Sequence, residues 1–213
     1  MKKAMRIELE DALKDEGLDP EQPSNWLQLA YKLYNESHLP EAEAAFLSAL
    51  DLDSECTECW KGLGAVLFTM NKFDEAESAF ETALQTTTED ANTWYNLGCV
   101  YNASKRTEKA VASFRRALEY DPTNADAWCN LGVALLQMEN EGEAEVALRQ
   151  ALDHEMNHLV AWVNLIQLYL REGRETEAEQ AYQEASDRIP DFGRYIDSIA
   201  RVAQNTEEPR TDR

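Results

Sequence analysis

Residues 94–122 read WYNLGCVYNASKRTEKAVASFRRALEYDP, and residues 128–156 read WCNLGVALLQMENEGEAEVALRQALDHEM. Trp94 and Trp128, which open these stretches, are 34 residues apart. All tryptophans of the chain keep this spacing: Trp26, Trp60, Trp94, Trp128 and Trp162. A repeat of this length indicates an array of small supersecondary units.

Further positions recur at fixed distances from each tryptophan. A leucine follows three residues later, and a small residue stands next to it in every copy except the last, which has Ile166. A second group recurs further on, as Ala42, Ala76, Ala110, Ala144 and Ala178, then Phe46, Phe80, Phe114, Leu148 and Tyr182, then Ala49, Ala83, Ala117, Ala151 and Ala185. Each group fits one stripe of an α-helix, so each unit is predicted to be two antiparallel amphipathic helices. The small residues are expected where the helix axes approach closely.

The pattern resembles the tetratricopeptide repeat, in tandem copies over about residues 23–190. The resemblance implies an all-α, right-handed superhelical solenoid of antiparallel helix pairs with a C-terminal capping helix. The sequence departs from the family pattern at Ile166, and at Ser54, Thr88 and Met156, where the family prefers proline. We expect these departures to change local packing or turn geometry without changing the fold.

The register predicts the helix bounds. First helices are expected near 24–36, 57–70, 91–104, 125–138 and 159–172. Second helices are expected near 39–52, 73–86, 107–120, 141–154 and 175–188. The corresponding division of the chain is an N-terminal helix in 1–22, repeats at 23–56, 57–90, 91–124, 125–158 and 159–190, a capping helix at 191–204 and a polar tail at 205–213. The N-terminal helix, near 2–16, is either a degenerate half-repeat or a loosely docked or self-associating helix.

Composition excludes several kinds of partner. The chain has 41 acidic and 20 basic residues, for a net charge of -21. Such a surface repels phosphates and anionic head groups, so we expect no nucleic-acid or membrane partner. A secretory signal and a membrane-spanning segment are not evident in the sequence, so the cytoplasm is the expected compartment.

In the family, the first helix of each pair lines a concave groove. The residues that would face it are nearly uncharged, with only Glu58, Lys61, Asp126 and Arg171 as exceptions. The acid is predicted to lie on the second helices, at Glu41, Glu43, Glu75, Glu77, Glu143, Glu145, Glu177 and Glu179. The position two residues after each tryptophan holds Gln28, Gly62, Asn96, Asn130 and Asn164. An asparagine side chain can both donate to and accept from a peptide backbone, so a ladder of them is typical of a groove for extended peptides. The candidate peptide-binding residues are Asn96, Asn130, Asn164, Tyr95, Asn102, Lys61, Phe68, Cys99, Cys129 and Leu136. The alternative is that these asparagines simply face water.

Some family members hold a C-terminal carboxylate with paired cations. Lys61 and Asn96 are present, but the first three units offer no second cation in the groove. A carboxylate clamp is therefore not expected.

Two segments imitate catalytic or metal motifs. His154 to His158 fits H-E-x-x-H, but the register places it at a turn rather than on one helix, so no metal site is expected. Cys56 and Cys59 form a C-x-x-C pair at a helix start, where a redox or metal role is conceivable. We expect structural or incidental thiols there, and thiols at Cys99 and Cys129 as well. We predict no cofactor and no catalytic residue.

The leading functional interpretation is a non-enzymatic scaffold or adaptor that holds an extended peptide or a partner helix in the groove. The alternative is a self-assembling or complex-assembly subunit that associates through its terminal helices. A zinc hydrolase that uses His154 and His158 is a remote third.

Overall fold

The structure is a computed structural model that describes residues 2–196 of the chain. The described part contains helices and no strand. The helices are α1 (Lys2–Asp15), α2 (Pro23–Asn35), α3 (Leu39–Leu52), α4 (Thr57–Thr69), α5 (Phe73–Thr86), α6 (Ala91–Ala103), α7 (Thr107–Tyr120), α8 (Ala125–Gln137), α9 (Glu141–His154), α10 (Leu159–Arg171) and α11 (Glu175–Arg188). The bounds lie within one residue of those predicted from the sequence, because the turns and the apolar stripes repeat in one register.

The chain divides into two compact units. Unit 1 extends to Pro122 and contains α1 to α7, and unit 2 begins at Thr123 and contains α8 to α11. In unit 1, α2 pairs with α3, α4 with α5 and α6 with α7 as antiparallel hairpins, and successive hairpins stack through α3 against α4 and α5 against α6. In unit 2, α8 pairs with α9 and α10 with α11, and α9 packs against α10. Neither stripe of a hairpin can be buried by that hairpin alone, so stacking supplies the core.

Glycine on the first helix lets each hairpin close tightly. A Cβ atom at Gly98 would lie 2.6 Å from Cε1 of Phe114, and one at Gly64 would lie 2.8 Å from Cε1 of Phe80. Phe114 is fully buried. The aromatic ring of the second helix therefore lies directly on the backbone of the first, as expected for a position of close axial approach.

The last hairpin has Ile166 at the position of these glycines. Ile166 is buried, and Tyr182, at the position of the aromatic ring, is 39% exposed. Tyr182 packs against Phe192, with ring centroids 5.6 Å apart, and Phe192 is buried. In this hairpin the ring is therefore partly exposed and lies over the buried Phe192.

The turn inside each hairpin has one repeated geometry. The residue eleven positions after each tryptophan has a positive φ: Ser37, Asn71, Lys105, Glu139 and Gly173. The next backbone N–H donates to the carbonyl five residues earlier, as from His38 to Leu33 at 2.9 Å and from Arg174 to Tyr169 at 2.8 Å. This is the Schellman motif, which ends a helix with one left-handed residue.

The turn between hairpins is held by the tryptophan itself. The indole N–H donates to the carbonyl six residues earlier in four hairpins: Trp26 to Pro20, Trp60 to Ser54, Trp94 to Thr88 and Trp162 to Met156, at 2.7–2.9 Å. The same bond forms whether that position holds proline, serine, threonine or methionine. The departures from the family pattern at this position therefore keep this hydrogen bond, because the acceptor is a backbone atom.

The ends of the chain have their own packing. Helix α1 packs against α3, with Leu13 buried and Arg6 paired to Asp51 at 2.5 Å. The regular second helices α3 and α5 instead pack against the first helix that follows them. A further helical stretch begins at Phe192 and reaches residue 196. The rest of the predicted capping helix and the predicted polar tail lie outside the described residues.

Candidate interaction face

Of the first helices α2, α4, α6, α8 and α10, all but α2 begin at a side-chain cap. The residue before the helix accepts a hydrogen bond from a backbone N–H of the first turn at Cys56, Asp90, Asn124 and His158. These caps satisfy donors that the helix itself leaves unpaired. We call the surface of these helices opposite the packing stripe the first-helix face; it comprises the residues two before and one, two, five, eight and nine after each tryptophan.

In unit 1, the first-helix face carries most of the predicted candidates. Lys61 and Phe68 lie on α4, and Tyr95, Asn96, Cys99 and Asn102 lie on α6, all partly exposed. The ring of Tyr95 packs against Phe114, with centroids 6.0 Å apart, and Phe68 packs against Phe73 at 6.1 Å. The amide oxygen of Asn102 is buried and has no hydrogen-bond partner among the described residues.

The candidate list missed two tyrosines of this face. Tyr31 donates to the carbonyl of Glu58 at 3.4 Å, and its ring meets the edge of Phe46 at a centroid distance of 5.2 Å. Burial, and then the charge of Glu58, raises the pKa of Tyr31. Tyr34 is within 3.4 Å of the hydroxyl of Thr69. The sequence could have identified both tyrosines, because Tyr31 and Tyr34 occupy the same repeat positions as the candidates Cys99 and Asn102.

In unit 2, the first-helix face is more apolar. Leu170 is 58% exposed and Val160 is 47% exposed, and Val133 and Leu136 are partly buried. Asn130 and Asn164 lie on the neighbouring helices α8 and α10, both partly exposed. The Asn164 amide donates to the carbonyl of Val160, one turn earlier in its own helix, at 2.7 Å. One of its two N–H groups is therefore already used.

Cys129 is the candidate that the structure removes from the face. It is 2% exposed, and burial, followed by the charge of Asp126, raises the pKa of its thiol to about 12. Its position one residue after Trp128 predicted exposure, but the packing of unit 2 encloses this side chain. A peptide on the surface would not reach Cys129.

The amide ladder is interrupted at Gly62. A Cβ atom there would lie 2.3 Å from the ring of Phe46 on the preceding hairpin. In its own hairpin Phe46 faces Ala30, where the next three hairpins have glycine. The ring therefore occupies the space that an asparagine at residue 62 would need.

The few charges on the first-helix face are paired. Lys61 lies 2.6 Å from Glu58 and 3.0 Å from Asp90. Arg171 pairs with Glu141 at 2.9 Å. Asp126 accepts a hydrogen bond from Nε2 of His158 at 3.1 Å, because Nδ1 of that imidazole accepts from the backbone N–H of Ala161. Carboxylates therefore neutralise Lys61 and Arg171, whereas Asp126, whose partner is a neutral imidazole, keeps its charge.

The glutamates predicted on the second helices do lie there, but three of them are paired across hairpins rather than turned to solvent. Glu43 is 7% exposed and pairs with Lys72 at 2.5 Å. Glu77 pairs with Arg106 at 2.5 Å, and Glu145 pairs with Arg174 at 2.7 Å. Each pair joins a second helix to the cap of the next second helix, 29 residues further on. These carboxylates hold neighbouring hairpins together.

The hydrogen bonds around Glu145 keep its carboxylate ionised, as the lowered pKa of this group shows. The hydroxyl of Tyr169 donates to Glu145 at 2.7 Å, and Arg149 lies at 3.1 Å. Hydrogen bonds from Arg174, Tyr169 and Arg149 outweigh burial and lower the pKa of Glu145 to about 2. Burial, and then the bond to Glu145, raises the pKa of Tyr169 to about 12.

The histidine segment and the cysteine pair that imitate catalytic or metal motifs differ in their structure. His154 ends α9 and His158 caps α10, so the H-E-x-x-H segment spans two helices. Within residues 2–196, no group of three or more metal-ligating side chains is assembled. Cys56 and Cys59, expected to be thiols, form a disulfide bond instead. The helix start brings their Cα atoms to 5.3 Å, which suits a disulfide. Cys99 and Cys129 are thiols, as expected.

Among the described helices, none is long and apolar enough to cross a membrane.

Stacked helical hairpins with an exposed first-helix face define a helical repeat protein of the interaction-scaffold class. The family model described as "Cytochrome c-type biogenesis protein H TPR domain" matches residues 68–191, and the model "Tetratricopeptide repeat" matches residues 27–92. The first match covers more than half of the chain, and the chain belongs to this family of tetratricopeptide-repeat domains. The resemblance and the fold class predicted from the sequence are confirmed.

Solved structures share the fold. YrrB, described as a TPR protein with an unusual peptide-binding site, is 24% identical, with a TM-score of 0.69 over 85% of this chain and 92% of that one. MamA is 19% identical, with a TM-score of 0.74 over 83% and 97% of the two chains. PilF of Pseudomonas aeruginosa is 21% identical, with a TM-score of 0.70 over 78% and 75%. No curated protein matches the chain.

Proposed function

We propose that the chain is a non-catalytic scaffold that holds an extended, mostly apolar polypeptide segment against its first-helix face. The observation that supports this proposal is that Lys61 and Arg171 are paired with carboxylates while apolar side chains of the face stay exposed. A face that exposes Val160 and Leu170 favours a segment that buries apolar surface.

The amides of the face would supply backbone recognition. Asn96 in unit 1 and Asn130 and Asn164 in unit 2 occupy the same register position. An amide can satisfy the N–H and C=O groups of an extended segment without reading its side chains. The description of YrrB as peptide-binding supports the same use of a related fold.

Lys61 is unsuited to a terminal carboxylate. Burial alone would lower the pKa of Lys61, but the hydrogen bonds that its ammonium group donates to Glu58 and Asp90 raise it, so the group stays charged and already has two carboxylate partners. A third carboxylate would be repelled by the first two. The bound segment is therefore proposed to run through the face rather than to end on it.

The test is binding of a library-selected peptide. A labelled peptide would first be selected on the wild-type chain from a random peptide library, and its Kd measured by fluorescence anisotropy. Replacing Asn130 and Asn164 of unit 2 together by alanine removes two amides, worth about 2–3 kcal/mol in total, and should weaken binding by about 30- to 150-fold. The control variant replaces two second-helix amides of unit 2, Gln150 and Gln180, by alanine and should bind normally. Equal affinity of the two variants would refute the amide contacts. If the selected peptide bound Leu170→Glu as tightly as the wild type, the first-helix face would not be the binding surface.

A second function is favoured by a cavity of about 590 Å³ between α1 and α3. Its lining includes Met5, Leu47 and Met70, and Ile7 on α1 is 51% exposed. This apolar end of unit 1 would suit a subunit that assembles through its terminal helices. Sedimentation of the full chain, of Ile7→Glu and of a chain without residues 1–20 separates the functions, because a monomeric wild-type chain excludes self-assembly.

The compartment is part of the same proposal. The sequence predicts the cytoplasm, whereas the Cys56–Cys59 disulfide is typical of an oxidising environment. The family description, which names cytochrome c-type biogenesis, makes an extracytoplasmic location the one to test first by fractionation.

A further inference from the structure

The Cys56–Cys59 disulfide is asymmetric in its exposure. Cys56 is partly exposed, whereas Cys59, on the first turn of α4, is fully buried. Attack by an external thiolate needs access to one sulfur and a leaving thiolate at the other. Because Cys59 is fully buried, an external thiolate reaches the disulfide from the side of Cys56. The fold therefore makes Cys56 the sulfur that is attacked and Cys59 the sulfur that leaves.

Cys56 also occupies a position made for an acceptor. Its sulfur accepts a hydrogen bond from the backbone N–H of Cys59 at 3.2 Å. Three other first helices place Asp90, Asn124 and His158 at the same register position, and each accepts a first-turn N–H there. The position therefore favours a hydrogen-bond acceptor, and the helix N-terminus there favours a thiolate on Cys56.

Asp90, at the same register position, is an anion that a neighbouring cation stabilises. Burial alone would raise the pKa of Asp90, but hydrogen bonds from Lys61 and Thr93 hold it below its usual value. The negative charges of the acidic residues near Cys56 would destabilise a thiolate at that position. Two of them are engaged elsewhere, because Glu58 lies 2.6 Å from Lys61 and Asp53 accepts from the backbone N–H of Glu55.

We propose that Cys56 and Cys59 form an exchangeable redox pair that reacts with accessible thiolates. An external thiolate attacks the Cys56 sulfur, the bond between the two cysteine sulfurs breaks, and Cys59 leaves as a thiolate and takes a proton. A second external thiol, as its thiolate, attacks the outer sulfur of the mixed disulfide and releases Cys56. Two external thiols are thereby oxidised to one disulfide, and the pair gains two electrons and two protons. The reverse reaction restores the disulfide.

The first test is equilibration of the folded full-length chain in glutathione buffers of varied ratio. Free thiols are then alkylated and located by peptide mass spectrometry. We expect Cys56 and Cys59 to convert together between disulfide and dithiol while the circular dichroism spectrum stays constant. A disulfide that resists about 10 mM reduced glutathione in the folded chain would be a permanent cross-link and would overturn the proposal. A pair that stays dithiol in excess oxidised glutathione would overturn it equally.

The second test resolves the roles of the two sulfurs. Cys59→Ser should accumulate a mixed disulfide between Cys56 and glutathione, because no resolving thiol remains. Cys56→Asp keeps an acceptor at the helix cap, as Asp90 does in α6. The remaining thiol of this variant, Cys59, should be alkylated at least tenfold more slowly than the Cys56 thiol of Cys59→Ser. Equal rates for the two thiols would contradict the polarity assigned here.

The source of the thiol is separated by parallel rate measurements. One arm uses glutathione, and the other uses an unstructured peptide with a single cysteine. Reaction with glutathione alone identifies a small-molecule thiol as the substrate, and faster reaction with the peptide identifies a polypeptide thiol. Failure of both arms would overturn the proposal and leave the peptide-holding function untouched, since the latter is measured on the first-helix face.

Discussion

Alanine in place of glycine should have opposite effects at two glycines of unit 2. Gly173 ends α10 with a φ of +72°, whereas Gly142 lies within the first turn of α9, and a Cβ atom at either would meet nothing within 4 Å. Steric contact with other residues is therefore absent at both sites among the described residues. Only the backbone conformation differs.

The magnitudes follow from this difference. A left-handed conformation costs a non-glycine residue about 1–2 kcal/mol, and the reduced freedom of the unfolded chain returns about 0.4–1 kcal/mol. Gly173→Ala should therefore lower the free energy of unfolding by about 1 kcal/mol, or about 2–4 °C in Tm. Gly142→Ala should raise it by about 0.5 kcal/mol, because alanine is the better helix former.

Urea denaturation followed by circular dichroism measures both variants against the wild type. Gly142→Ala serves as the matched control, since it makes the same chemical change at a right-handed position. If Gly173→Ala were as stable as the wild type, the left-handed turn would not constrain this residue. A loss of stability in both variants would mean that neither site has the open space the structure gives it.

Three further outcomes are expected. Glu139→Gly should raise the free energy of unfolding by about 0.5 kcal/mol in the same assay, because Glu139 holds a φ of +58° at the turn equivalent to Gly173; Glu139→Ala, which keeps the side-chain strain, should not. Gly98→Ala should lower it by about 1–3 kcal/mol, since the new Cβ atom would lie 2.6 Å from a buried ring; wild-type stability would mean that Phe114 moves away freely. The pKa of Glu145, about 2 when folded, lies below its unfolded value, so its contribution to stability is present above about pH 4.5 and is lost as the pH falls towards 2. Glu145→Gln should be less stable near neutral pH and show a shallower loss in acid denaturation, whereas parallel acid profiles would refute the pairing.

The helices were predictable because their signals are local. The tryptophan register set the bounds of α2 to α11 to within a residue, and Gly64 and Gly98 marked the close approach inside their hairpins. Such signals depend only on the 3.6-residue period and on residues close in the chain. The position of Lys61, Tyr95 and Asn96 on the first-helix face followed from the same period.

The candidate site was predictable only in part. Cys129 has the register of an exposed residue but is enclosed by neighbouring helices. Gly62 has the register of the amide ladder, but Phe46 from the preceding hairpin covers it. Both outcomes depend on how one hairpin stacks on the next, and a periodic pattern does not contain that contact.

The sequence by itself therefore determined the helical hairpins, their turns and the uncharged character of the first-helix face. The 34-residue period is written in residues that act within one hairpin, so no long-range information was needed. Only the tertiary structure revealed the ion pairs that join Glu43, Glu77 and Glu145 to the next hairpin. It also revealed the Cys56–Cys59 disulfide, in which Cys56 is partly exposed and Cys59 is buried. These features depend on side-chain geometry across stacked helices, where a displacement of a few tenths of an ångström separates a contact from an exposed group.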